Sequence, residues 1–90
     1  GLGDVYKRQA LETVAFELLA EALTEVELVP EEDRPDHGAR VLNVWGVALF
    51  RRGRTAEAIA RWQMILDRYP THEDYAVYEG KIRDVLGEAP

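Results

Sequence analysis

The sequence contains no cysteine and no serine, and it has only two histidines, His37 and His72. Without cysteine there is neither a disulfide framework nor thiol chemistry. Nucleophilic catalysis needs a nucleophile, a base and an orienting group that converge in space, and no motif of that kind is present. Asp33 and Asp36 beside His37 resemble solvated loop residues more than metal ligands. We therefore expect no enzyme activity, no cofactor and no metal site.

Long hydrophobic runs are absent as well. No stretch approaches the roughly 18 consecutive apolar residues that predict a membrane span. The chain has 90 residues and a net charge of −6, which suits one small domain and argues against nucleic acid as a partner. The charge is uneven, since residues 1–36 hold ten acids and three bases, whereas residues 39–72 hold six arginines and two acids. We interpret most of this asymmetry as ordinary solvated surface.

The stretch from Ala39 to Pro70 predicts two helices joined by a tight turn. The first helix, residues 39–52, is apolar on most of its circumference, so more than one side must be covered. Gly46 lies in its middle, where glycine costs about 1 kcal/mol relative to alanine, and this predicts a close approach by another helix. Gly53 falls where a left-handed residue would end the helix.

The second helix of the pair is predicted at residues 55–69. Its apolar residues form a single stripe at helical spacing: Ala58, Ile59, Trp62, Ile65, Leu66 and Tyr69. Thr55 is its candidate N-cap, and Pro70 ends it because the residue before a proline avoids the helical conformation. Trp62 lies in the middle of the stripe and is predicted to be the main core side chain.

Residues 39–72 resemble one tetratricopeptide repeat, a helix–turn–helix unit of about 34 residues. The large residues and the glycine of the family's opening helix fall on Leu42, Leu49 and Gly46. The turn glycine, the small and aromatic residues of the second helix and the closing proline fall on Gly53, Ala58, Trp62 and Pro70. Trp45 and Ile65 depart from the family pattern, which has a leucine and a small residue there. The resemblance implies an all-α fold of about four antiparallel helices in a right-handed stack.

Partial repeats are predicted on both sides of this unit. Residues 10–28 predict an amphipathic helix that matches the second helix of a preceding repeat. Residues 29–38 contain two prolines and a run of acids, and they predict a loop in which Asp36 is the candidate cap of the next helix. Residues 73–86 predict a fourth helix, capped by Thr71, that resembles a degenerate next repeat.

The first nine residues, GLGDVYKRQ, differ in kind from the rest. The run VYKRQ resembles a translated sequencing adapter of the sort found at the ends of assembled metagenomic reads. We therefore interpret residues 1–9 as a non-native leader and residues 10–90 as a single helical domain. A native start upstream could carry a signal peptide, so the compartment stays open between the cytoplasm, taken as default, and the periplasm or envelope.

The resemblance implies a protein-interaction module. Stacked repeats leave a concave groove, lined mainly by their first helices, that holds a peptide or a partner helix. By resemblance, the groove-facing positions are Arg40, Asn43, Val44, Val47, Phe50 and Arg51, joined by Tyr78 and Lys81 from the last helix. We expect Arg40 and Arg51 to flank an apolar strip and to hold acidic groups of the ligand. Family members that clamp a terminal carboxylate use a lysine and an asparagine at set positions. Those positions are Asn43 and Val47 here, so that partner is not supported.

Two alternatives remain open from the sequence. In the first, the acidic N-terminal helix covers the apolar strip, and no groove exists. In the second, the chain is a structural or assembly segment of a longer repeat array, which stacks on other repeats or associates with itself.

Overall fold

The computed structural model describes residues 2–88, and the side chains of residues 13–87. It contains four α-helices: α1 (Leu2–Glu25), α2 (Arg34–Arg51), α3 (Thr55–Arg68) and α4 (Tyr75–Glu88). Two short 3-10 segments, Val26–Leu28 and Glu31–Asp33, connect α1 to α2. The described residues include no strand, so the prediction of an all-α fold with about four helices is confirmed.

Each helix packs on the next helix along the chain. The interface between α2 and α3 is the most extensive, followed by α3 with α4 and α1 with α2. The Cα atoms span 47 × 37 × 13 Å. Because packed helices lie about 8–10 Å apart, a slab this thin holds at most two layers of helices. Every helix therefore keeps at least one face toward solvent.

The core lies where α3 crosses its two neighbours. Its four largest fully buried side chains are Trp62, Leu42, Leu49 and Ile65, and α4 adds Ile82 and Val85. The indole of Trp62 covers Gly46, since a Cβ at Gly46 would lie 2.7 Å from Trp62 Cε2. The predicted close approach at Gly46 and the predicted central place of Trp62 are both confirmed.

The turn between α2 and α3 is a Schellman motif. Gly53 has a φ of +76°, a left-handed conformation that glycine adopts without steric cost. The Gly53 N–H donates to the Phe50 carbonyl at 3.0 Å, and the Arg54 N–H donates to the Leu49 carbonyl, also at 3.0 Å. These two hydrogen bonds satisfy carbonyls that would otherwise be unpaired at the end of α2, as the position of Gly53 predicts.

The start of α2 differs from the prediction. The helix begins at Arg34, so half of the predicted loop 29–38 belongs to an α-helix, and Glu31–Asp33 form a 3-10 turn before it. Pro35 does not prevent this, because the first turn of a helix has no intrahelical use for the N–H that proline lacks. The predicted capping role of Asp36 is wrong, since Asp36 lies inside α2 and its Oδ1 contacts Nε2 of His72 at 2.9 Å.

The two threonines predicted as caps do not act as caps. Thr55 is the first residue of α3, and the N-cap position belongs to Arg54, which makes no side-chain capping bond. Arg54 instead pairs with Glu57 across 2.6 Å in the first turn. Thr71 lies four residues before Tyr75, where α4 begins.

The predicted helix at residues 10–28 corresponds to the second part of α1. The α-helix ends at Glu25, and Val26–Leu28 continue as a 3-10 turn. The backbone of residues 2–9 also belongs to α1. The side chains of residues 1–12 lie outside the described part of the chain, so the interpretation of residues 1–9 as a leader stays a prediction.

Deleting residues 1–9 should change the free energy of unfolding by no more than about 0.5 kcal/mol, the usual range for changes at uninvolved surface positions. The measurement is a urea titration followed by circular dichroism. A control deletion of residues 1–16 also removes Phe16, whose ring lies 5.5 Å from the guanidinium groups of Arg52 and Arg54, and it should destabilise the chain clearly. Equal destabilisation by both deletions would show that the first nine residues pack on the domain.

Candidate functional site

α2 and α4 both pack on α3, and they leave a groove with two recesses between them. One recess, of about 390 Å³, is polar, and seven residues line it: Asp36, Arg40, Asn43, His72, Glu73, Asp74 and Tyr78. The other, of about 490 Å³, is more apolar, with the lining residues Phe50, Ala76, Val77, Gly80, Lys81, Asp84 and Val85. We call these the polar recess and the apolar recess.

Lys81 and Asn43 join the two helices between the recesses. Lys81 Nζ donates a hydrogen bond to Asn43 Oδ1 at 2.9 Å. The same ammonium group lies 5.4 Å from the centroid of the Trp62 ring, within the range of a cation–π interaction. Lys81 therefore links α4 to α2 between the two recesses, and its ammonium group also lies against the buried Trp62 ring.

The apolar recess exposes large hydrophobic side chains. Phe50 is 39% exposed and Val77 is 61% exposed. The Phe50 ring lies 6.2 Å from the Trp62 ring at an interplanar angle of 45°, so the wall of the recess rests directly on the core. A ligand side chain placed here would bury apolar surface against a supported wall.

His72 organises the polar recess. Its side chain is only 5% exposed, and Nε2 lies 2.9 Å from Asp36 Oδ1. Nδ1 accepts a hydrogen bond from the Asp74 N–H at 3.0 Å. Because Nδ1 accepts, the ring proton is on Nε2, which donates to Asp36. Both nitrogens are used, so His72 connects the start of α2 to the start of α4 and has no free nitrogen for proton transfer.

The electrostatic character of the polar recess is negative. Burial raises the pKa of Tyr78, the carboxylates of Asp74 and Asp36 raise it further, and Arg40 opposes them. The lining contains three carboxylates, since Glu73 joins these two aspartates, against the single guanidinium of Arg40. The recess therefore favours a neutral or cationic group over an anionic one.

The structure divides the predicted site residues into three groups. Arg40, Asn43 and Tyr78 line the polar recess, and Phe50 and Lys81 line the apolar recess. The third group lines neither recess: Val44, Val47 and Arg51. Of these, Val47 is partly buried against the core, while the other two are exposed.

The predicted apolar strip is not covered by α1 over the described side chains. Val44 is 49% exposed and Phe50 is 39% exposed. Phe16 of α1 lies instead beneath Arg52 and Arg54, at the turn between α2 and α3. As far as its side chains are described, the N-terminal helix therefore does not fill the groove.

Sequence reasoning missed His72 and Asp36 as parts of the site. These residues are 36 positions apart, and the sequence predicts Asp36 to be a solvated loop residue that caps the next helix. The available signal was the pair of histidine and aspartate near the starts of the two helices that line the groove.

Two negative findings apply to the described part of the chain. No group of three or more histidine, aspartate or glutamate side chains is placed to hold a metal ion among the described residues. None of the helices, as far as they are described, is long and apolar enough to cross a membrane.

Comparison with known proteins gives no relative. No protein-family model matches the chain, and neither the curated proteins nor the solved structures contain a significant match. The function is therefore inferred from the geometry of the groove and from the residues that line it.

Proposed function

We propose that this chain is a protein-interaction module of the tetratricopeptide type, which holds a peptide or a partner helix in the groove between α2 and α4. The observation that carries the proposal is the apolar recess, where Phe50 and Val77 stay exposed beside a polar recess in the same groove. A concave, partly apolar site with a few convergent polar groups is the usual form of a binding site.

The order of helix packing supports the repeat assignment. When helix pairs stack in one direction, the second helix of each pair packs on two helices. These are the first helix of its own pair and the first helix of the next pair. α3 packs in this way on both α2 and α4. The residues that carry the resemblance also have the expected structural roles: Gly46 lies under Trp62, Gly53 ends α2, and Ala58 is fully buried.

The two recesses would take different groups of a ligand. Apolar side chains would enter the apolar recess and supply most of the affinity, as central buried contacts usually do. The polar recess would accept a neutral or basic group, because its carboxylates outnumber Arg40. An acidic group of the ligand is better placed near Arg51, which is exposed and directly follows Phe50.

Peptides selected from a displayed random library should lose affinity strongly when Phe50 is replaced. We expect Phe50→Ala to raise the Kd roughly tenfold or more, because a central aromatic contact is lost. Arg51→Ala should raise it by no more than about fivefold, since exposed ion pairs contribute about 0–1 kcal/mol. The measurement is a fluorescence anisotropy titration of each variant at two salt concentrations, and higher salt should weaken binding only mildly.

Leu86→Ala is the matched control for this titration. Leu86 is 57% exposed and lines neither recess, so its truncation removes exposed apolar surface without touching the groove. A peptide that binds the Phe50→Ala variant as tightly as the parent would place the binding site elsewhere. Circular dichroism melts must show that Phe50→Ala is folded, because Phe50 packs on Trp62.

A further inference from the structure

α1 presents an apolar stripe that the described part of the chain does not cover. Val14 and Leu18 are 50% and 59% exposed, and their spacing of four residues places them on one face of the helix. The face of α1 directed at the core is a different one, because it carries the partly buried Phe16 and Leu23. We call Val14 and Leu18 the α1 stripe.

Acidic side chains border the α1 stripe. Glu17 follows Val14 by three positions, and Glu21 follows Leu18 by three, so both are neighbours of the stripe on the helix surface. Both glutamates are exposed, and residues 13–25 contain no basic side chain. A surface that covers the stripe should therefore be apolar and carry cations.

The apolar recess has this character. It exposes Phe50 and Val77, and Lys81 lies in its lining, with Arg51 next to Phe50 in the sequence. Neither cation is paired with a carboxylate among the described side chains. The lining contains one acidic residue, Asp84. Together, Lys81, Arg51 and Asp84 give this region a net positive charge.

We propose that the α1 stripe of one molecule docks into the apolar recess of a second copy of the chain. Leu18 enters the recess against Phe50 and Val77, and the glutamates beside the stripe approach Arg51 and Lys81. Pairing two α1 stripes with each other is disfavoured, because it would bring like charges together at an interface.

A contact between two unlike surfaces has a consequence for the size of the assembly. Each molecule that docks still presents one free stripe or one free recess, so the assembly grows with concentration unless its geometry closes a ring. The contact uses the same recess as the proposed peptide site, but a peptide ligand does not need the α1 stripe. The two proposals can therefore fail separately.

The first test is the concentration dependence of molecular mass. Sedimentation equilibrium of the parent should show a weight-average mass that rises above the 10.2 kDa of one chain as concentration increases. Leu18→Gln should weaken the association roughly tenfold, since burial of one large apolar side chain is lost. Leu28→Gln is the control, because Leu28 is 84% exposed and lies outside the stripe, and it should leave the mass unchanged.

The second test is a charge exchange within one chain. Glu21→Arg and Arg51→Glu should each weaken association by up to about fivefold, and the double variant should recover it because the pair is restored with reversed signs. A parent that stays monomeric at every concentration overturns the inference, as does an association that Leu18→Gln and Arg51→Glu leave unchanged. Peptide binding that persists in Leu18→Gln while association is lost supports it and leaves the proposed function intact.

Discussion

Replacing Trp62 by alanine should lower the free energy of unfolding by about 3–5 kcal/mol, the usual cost of removing a large aromatic side chain from a core. Trp62 is 2% exposed, and its ring lies beside residues of both helices that line the groove. It covers Gly46, lies 6.2 Å from the Phe50 ring and lies 5.4 Å from Lys81 Nζ. Truncation of Trp62 would remove the ring on which Phe50 packs in the apolar recess, and it would leave a cavity in the core.

This cost is a large part of the total stability. At roughly 0.05–0.15 kcal/mol per residue, a chain of 90 residues has about 5–13 kcal/mol to lose. The measurement is urea denaturation followed by circular dichroism, and we expect a much lower midpoint or no cooperative transition. A Trp62→Ala variant with the midpoint of the parent would contradict the packing described for α2, α3 and α4.

A second variant at this position keeps an aromatic ring but removes the indole N–H. Trp62 Nε1 is buried without a hydrogen-bond partner among the described residues, and an unsatisfied buried donor costs about 1–3 kcal/mol. Trp62→Phe removes this donor along with part of the ring, so it should cost far less than Trp62→Ala. Trp45→Ala is the matched control, because Trp45 is only half-buried, with the guanidinium of Arg61 4.0 Å from its ring centroid, and it should cost less as well.

Replacing Gly46 by leucine should also destabilise the chain, although leucine favours helices more than glycine does. The gain in helix propensity is about 1 kcal/mol at most. The loss is larger, because even a Cβ at Gly46 would overlap the Trp62 indole, and overpacking a core costs about 1–3 kcal/mol or more. We therefore expect a net loss, measured by the same urea titration.

Gly80→Ala is a control that should change the free energy of unfolding in the opposite direction. Gly80 lies inside α4, and a Cβ there meets no atom within 4 Å. Alanine should therefore stabilise the chain by up to about 1 kcal/mol through helix propensity alone. Stabilisation by both substitutions would mean that Trp62 does not lie on Gly46.

Features that depend on short sequence separations could be predicted. The periodicity of residues 39–69 predicts the α2–α3 pair, and the close approach at Gly46 and the turn at Gly53 follow from the cost or freedom of glycine at those positions. The start of α2 could not be predicted in this way, because Pro35 and the surrounding acids are compatible with both a loop and a first helical turn.

The site was less predictable than the fold, since its contacts join residues far apart in the sequence. The bonds from Lys81 to Asn43 and from His72 to Asp36 depend on how α4 is placed against α2. That placement follows from packing on α3, which periodicity alone does not specify. Five of the eight candidate positions that the resemblance implies nevertheless line one of the two recesses.

The packing of each helix mainly on its sequence neighbours has a consequence for how the molecule opens. Among the described residues, α1 and α4 share no extensive interface, so a fluctuation at one end of the chain leaves the helix packing at the other end in place. Partial opening of this kind costs less free energy than global unfolding, and it exposes different segments at different rates. Detachment of α1 would leave the α2–α3 pair and the whole groove in place, whereas detachment of α4 would dissolve the groove. Hydrogen-exchange protection should therefore be greatest in α2 and α3 and fall toward both ends.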